Sequence, residues 1–324
     1  MHSFLLLVLC AALGLTSSNV HQHHIETLMD NALVLRVPDS LGSMVEVPLT
    51  CGAAYQPHEV FWKKNGEELT PAVQGNHITV LVKEMKAGNY SCHLSSTGEY
   101  VNHTLILVQL DPDNRTVILE EKSPQEGHIH CSALNYNGSF QCNWKKTQQR
   151  SHAAVLLIKA SRYQEEISCM LDADGSGVLC QDVECPYKEE KHPIHLTIYM
   201  NSYSRLEAYT KSFYLREIVR PEKLPNLHIT SGQVFRWDYP DTWEKPQTYF
   251  GLHFQVKVLQ SGQSCNSDNF ILQNNLTEET VFDVNIKSKK YVFCVRAQDK
   301  HARGPWSHWS QCIVTRNNVD CHLR

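Results

Sequence analysis

The chain has 324 residues, with 30 Lys and Arg against 34 Asp and Glu, for a formal net charge of −4. A balance this near neutral argues against nucleic acid or an anionic membrane surface as the partner. With 42% hydrophobic and 20% charged residues the composition is that of a folded protein, and the length suits about three sandwich modules of roughly 100 residues each.

The first element is the apolar run Phe4-Leu5-Leu6-Leu7-Val8-Leu9-Cys10-Ala11-Ala12-Leu13, followed by Thr16, Ser17 and Ser18. It reads as a signal peptide over residues 1–18, too short to span a bilayer; a buried N-terminal strand is the other reading. No later stretch reaches the ~20 apolar residues of a transmembrane helix, and the end, Asn317 to Arg324, is too polar for a hydrophobic anchor-addition tail. The expectation is a secreted protein with no membrane insertion. Five sequons agree with it, at Asn89, Asn102, Asn114, Asn137 and Asn275. So do the 12 cysteines, of which Cys10 leaves with the leader. The remaining odd number implies pairs plus one cysteine for an intermolecular bond or a free thiol. The cluster His21, His23 and His24 reads as a polar chain end.

Over residues 19–110, Cys51 ends the strand-like Val45–Thr50, Val60-Phe61-Trp62 follows, and Ala87-Gly88-Asn89-Tyr90-Ser91-Cys92 comes later. A cysteine, a tryptophan on the next strand and Tyr-x-Cys make the inter-sheet disulfide and tyrosine corner of an immunoglobulin-like domain, with Cys51 paired to Cys92. Asn65-Gly66 supplies a positive-φ turn. Lys86 stands where such domains usually carry an acid, so one customary salt bridge is expected to be missing.

Residues 111–220 form a second expected module. Asn137-Gly138 separates two strand-like stretches, so Cys131 and Cys142 can face each other across neighbouring strands. Cys169 and Cys180 form a further close pair around Asp172-Ala173-Asp174-Gly175-Ser176-Gly177, which lacks the bidentate Glu of a calcium loop and reads as a solvated turn. Arg220-Pro221-Glu222-Lys223-Leu224-Pro225 then makes a stiff linker. The third module, residues 221–324, has alternating strands at Val234–Trp237, Leu252–Val258 and Tyr291–Ala297. No long helical periodicity appears, so the fold is expected to be all-β.

Near the end stands Trp306-Ser307-His308-Trp309-Ser310, whose indole faces can hold the Arg296 guanidinium between them. Together with Cys131, Cys142 and Cys142-Asn143-Trp144, on the other side of a proline-rich elbow, this box resembles the class I cytokine-receptor homology module. The resemblance implies two fibronectin type III sandwiches after the immunoglobulin-like one. Four stretches extend it to the interleukin-12 beta-subunit family, soluble receptor-like chains shared by interleukin-12 and interleukin-23. They are Cys131–Tyr136, Phe213–Pro221, Trp237–Trp243 and Val295–Asp299.

That resemblance implies an elbow between the second and third modules that holds a four-helix-bundle alpha subunit, with a partner arginine entering a pocket of Tyr136, Tyr249, Asp299 and Glu189. A carboxylate and tyrosines suit a guanidinium. His301 stands where the family can place another tyrosine. The resemblance also implies Cys185 as the cysteine that bonds to the alpha subunit, in line with the odd count. Cys321 near the end is the other candidate. With Cys185 set aside, Cys265, Cys294, Cys312 and Cys321 allow three pairings, which stay open. In the first module the family uses an N-terminal loop bearing a tryptophan to meet cell-surface cytokine receptors; Arg36-Val37-Pro38-Asp39-Ser40 has none. The function implied is the receptor-like subunit of a heterodimeric cytokine, with homodimers also possible; the alternative is a free soluble receptor or decoy. No phosphate loop, His-Glu-x-x-His or Gly-x-Ser-x-Gly motif occurs, so neither enzymatic activity nor a cofactor is expected.

Overall fold

The computed structural model describes residues 24–37, 44–83, 86–110, 117–183 and 189–322. The leader expected over residues 1–18, His21 and His23, Pro38-Asp39-Ser40, Asn114 and Cys185 lie outside them. The chain divides into two compact units between Arg115 and Thr116. Both are built of strands, in keeping with an immunoglobulin-like sandwich followed by fibronectin type III sandwiches; among the described residues the helix is limited to short pieces such as Leu215–Ile218.

In the first unit, Val45–Thr50 pairs antiparallel with His77–Val82. Opposite them Val60–Lys64, Gly88–Leu94 and Tyr100–Leu110 pair in succession, and Ala32–Val37 joins Tyr100–Leu110 in parallel. Val45–Thr50 alternates buried and exposed residues along its length, the period-two pattern of a strand with one face on a core. The core gathers Leu35, Val47, Leu49, Trp62, Ile78, Ile106 and Val108 around the Cys51–Cys92 disulfide. Trp62 lies directly opposite Cys92 in register and its Nε1 donates to the Gly75 carbonyl at 2.9 Å. Tyr90 Oη donates to the Lys86 carbonyl at 2.7 Å, closing the corner. Asn65 and Gly66 both have positive φ, at 52° and 91°, which turns Val60–Lys64 back onto Glu67–Glu68.

In the first half of the second unit, Ser168–Leu171, Gly177–Gln181, Ser139–Asn143 and His130–Ser132 form one sheet in that order. Ala154–Arg162, Ile194–Ser202 and Arg205–Phe213 pair consecutively in another. Cys131 sits directly opposite Cys142, and Cys169 directly opposite Cys180, and both pairs are disulfides. The Asp174 carboxylate accepts from the Ser176 N–H and hydroxyl, so the loop between Cys169 and Cys180 is closed on itself. In the second half, Val234–Arg236 pairs with His228–Ile229 and Val281–Asp283. A five-stranded sheet runs Ile271–Thr277, Leu252–Gln260, Tyr291–Asp299, Ser310–Val314 and Val319–His322. The disulfides here are Cys265–Cys294 and Cys312–Cys321, which selects one of the three open pairings and removes Cys321 as the odd cysteine.

A single hydrophobic core passes through both halves. It runs from Phe140, Ile194, Leu196, Ile198 and Phe213, through Ile218, Val219 and Leu224 at the bend, to Trp237, Phe254 and Phe293. The bend is also fixed by the backbone: Ala133 N–H donates to the Ile218 carbonyl at 3.1 Å, and Arg220 N–H donates to the Ala133 carbonyl at 2.7 Å.

Candidate functional site

Three segments meet at the bend: the turn after His130–Ser132, the loop before Leu252–Gln260, and the C-terminal end of Tyr291–Asp299. Asn135 Nδ2 donates to the Thr242 carbonyl at 2.7 Å, tying the first to the second. Tyr136 packs edge-on to Trp243 at 6.0 Å and stacks on Phe250 at 5.5 Å between ring centroids. Tyr249 lies edge-on to Phe250 at 4.8 Å and is 52% exposed. The result is a continuous aromatic row that is buried at Trp243 and open to solvent at Tyr249.

Asp299 closes one end of the row. It is only 4% exposed. Its Oδ1 accepts the His301 and Ala302 N–H groups at 2.7 and 2.5 Å, and its Oδ2 accepts Tyr136 Oη–H at 3.1 Å. Burial, and then the Asp299 charge, push the Tyr136 phenol well above its ordinary pKa, so it stays a donor. A carboxylate has about four acceptor sites, so Asp299 with three donors keeps room for about one more on Oδ2. A bidentate fork from a guanidinium to Asp299 requires Tyr136 Oη to move aside. His301 itself is exposed at this rim.

Glu189 is exposed, and the carboxylate that turns inward is its neighbour Glu190. Glu190 accepts the Leu215 and Arg216 N–H groups at 2.7 and 3.1 Å and pairs with Arg162 at 2.9 Å. Arg162 also holds Asp182 at 2.8 Å, with both side chains under a tenth exposed. One guanidinium thus binds acids on both sides of the segment 183–189. Sequence reasoning missed Arg162, Asp182 and Glu190; a charged residue at the end of the largely apolar strand Ala154–Arg162 was the available signal.

The Trp-Ser box is a second constellation. The Arg296 guanidinium lies 4.7 Å from the Trp306 ring centre and 4.4 Å from that of Trp309, and its Nε donates to Gln255 at 2.8 Å. His253 packs on Trp306 at 5.1 Å and Lys257 Nζ lies 5.4 Å from Trp309, extending the ladder at both ends. His253, Gln255 and Lys257 are alternate residues of one strand, so they share a face. Ser307 Oγ accepts the Ala297 N–H at 2.9 Å, and Ser310 Oγ donates to the Leu224 carbonyl at 2.9 Å, anchoring the box to its own sheet and to the linker. Among the sequons, Asn89, Asn137 and Asn275 are exposed and Asn102 is half-buried. No group of three or more metal-ligating side chains occurs among the described residues, and none of their helices is long and apolar enough to cross a membrane.

Comparison with known proteins gives a consistent picture. A family model described as the C-terminus of the cytokine interleukin-12p40 matches residues 126–202. Interleukin-12 subunit beta of Macaca mulatta is 33% identical over 303 residues, covering 84% of this chain and 87% of the relative. The Homo sapiens protein of the same name is 31% identical over 299 residues, with the same coverage of both chains. That of Felis catus is 29% identical over 306 residues, again with 84% and 87% covered.

Proposed function

This chain belongs to the interleukin-12 beta-subunit family of cytokine subunits, and from that premise we propose that it is the secreted receptor-like half of a heterodimeric cytokine. It grips a four-helix-bundle alpha subunit at the bend of the second unit and presents the complex to cell-surface cytokine receptors. The observation that carries the reading is the aromatic row from Trp243 to Tyr249 beside the buried Asp299 carboxylate. Rigid aromatic side chains around a desolvated carboxylate are what a partner arginine needs as an anchor. Tyr136, Tyr249 and Asp299 form the receiving pocket, with His301 on its rim and Glu189 on the adjoining surface. The guanidinium gives one strong hydrogen bond to Asp299 Oδ2, and a second one when Tyr136 Oη swings away.

Cys185 supplies the covalent link to the alpha subunit. The ten cysteines of the described residues form five intrachain disulfides, which leaves Cys185 as the odd cysteine once Cys10 is removed with the leader over residues 1–18. The module boundaries near residues 110 and 220, the glycans and the absence of catalysis belong to the same reading. The test is co-expression with candidate alpha chains. A disulfide-linked heterodimer on an unreduced gel, lost in Cys185→Ser, together with weakened non-covalent association in Tyr249→Ala, supports it. Reversible binding of a complete cytokine with no obligate partner points instead to a soluble receptor or decoy.

A further inference from the structure

The strand Ile271–Thr277 lies at one edge of the five-stranded sheet, and among the described residues its ladder goes to Leu252–Gln260. An open edge of this kind is a template for a strand from another molecule, and proteins blunt such edges with charges, prolines or bulges. The first half of the strand has a bulge: Val258 pairs with Gln273 and Leu259 with Ile271, leaving Leu272 as the extra residue. The second half, Asn274-Asn275-Leu276-Thr277, keeps a regular register and has neither charge nor proline. Leu276 is 68% exposed, and the bulged Leu272 is 38% exposed. What this half does carry is the sequon Asn275-Leu276-Thr277, with Asn275 exposed.

We propose that an N-linked glycan on Asn275 guards this edge, and that without it two copies of the chain pair through Ile271–Thr277. An antiparallel pair about a two-fold axis at Leu276, within the regular half, sets Leu276 of one copy against Leu276 of the other as an apolar cross-strand contact. The same register sets Asn275 opposite Thr277 of the second copy. A glycan on Asn275 therefore stands over the place the incoming strand must occupy.

The experiment uses the full secreted chain in a Cys185→Ser background, so that no disulfide through that residue contributes to association. Glycopeptide mapping reads occupancy of Asn275, and sedimentation over a range of concentrations reads association. The parent carries glycan at Asn275. N275Q and T277A, which remove the sequon in different ways, associate about tenfold more strongly, equivalent to about 1.4 kcal/mol. Adding Leu276→Lys to N275Q restores the parent behaviour. If neither sequon variant is secreted, trimming the folded parent with an endoglycosidase makes the same comparison. An unoccupied Asn275, unchanged association after loss of the glycan, or association that Leu276→Lys does not reverse would each overturn the proposal.

Discussion

Gly304 is the point where the bend is most sensitive to one added carbon. A Cβ there would come 2.8 Å from the Val219 carbonyl oxygen and 2.9 Å from that of Arg216, whereas carbon–oxygen contacts ordinarily settle near about 3.3–3.6 Å. Both oxygens are backbone, and Val219 is bridged to Ala133, so relief requires the two halves of the unit to part. Overpacking of this kind costs about 1–3 kcal/mol. For a unit of this size each kcal/mol lowers Tm by about 2–4 °C, so Gly304→Ala should lower the melting temperature of the second unit by roughly 2–12 °C. Differential scanning calorimetry reads it, with Gly251→Ala as the control. There the nearest atom is Lys300 Cδ at 3.4 Å, on a flexible side chain, and the expected change is within about 0.5 kcal/mol. A Gly304→Ala protein that melts with the parent, or a control that falls as far, refutes the reasoning.

Arg296→Met should cost about 1–3 kcal/mol by removing the cation between two indoles, read by denaturant unfolding and by a shift in tryptophan emission. Tyr136→Phe takes the donor from Asp299 Oδ2 and should cost about 1 kcal/mol of stability. It also frees an acceptor, so on the proposed reading alpha-subunit affinity should hold or rise, as titration calorimetry would show. Arg162→Met removes the guanidinium that Asp182 and Glu190 share, with Arg216 still 3.4 Å from Glu190, and should cost about 3–5 kcal/mol, seen as a lower urea midpoint. His130 has its pKa lowered by burial first and then by Lys122. Below the ordinary histidine pKa of about 6.5 the unfolded chain takes up a proton that the folded one resists. Stability from this group is therefore present above that pH and is lost on acidification, and His130→Gln should flatten the fall in urea midpoint between about pH 7 and 5.

Much of the fold was legible because its signals are local or carry their own geometry. Cys51, Trp62, Tyr90 and Cys92 mark strands by type and spacing, and Asn137-Gly138 sets Cys131 against Cys142. The Trp306 and Trp309 box announced a cation slot, and Arg296 fills it. The rest depends on packing that no local pattern records. Choosing Cys265–Cys294 needs the loop over Leu259 and Val292 to be in place. The distinction between Glu189 and Glu190 is one of side-chain direction in the loop before Ile194–Ser202, and the N–H groups of Leu215 and Arg216 decide it. Gly304 is meaningful only through carbonyls far away in sequence.

Because apolar packing continues without a break from Phe140 to Phe293, severing the chain near Pro221 would not release two self-sufficient pieces. Each fragment would expose what the other had covered, Tyr136 on one side and Trp243 and Phe250 on the other. The angle between the two halves is therefore set when the protein folds, and on the proposed reading docking of the alpha subunit need not spend binding energy on freezing a hinge.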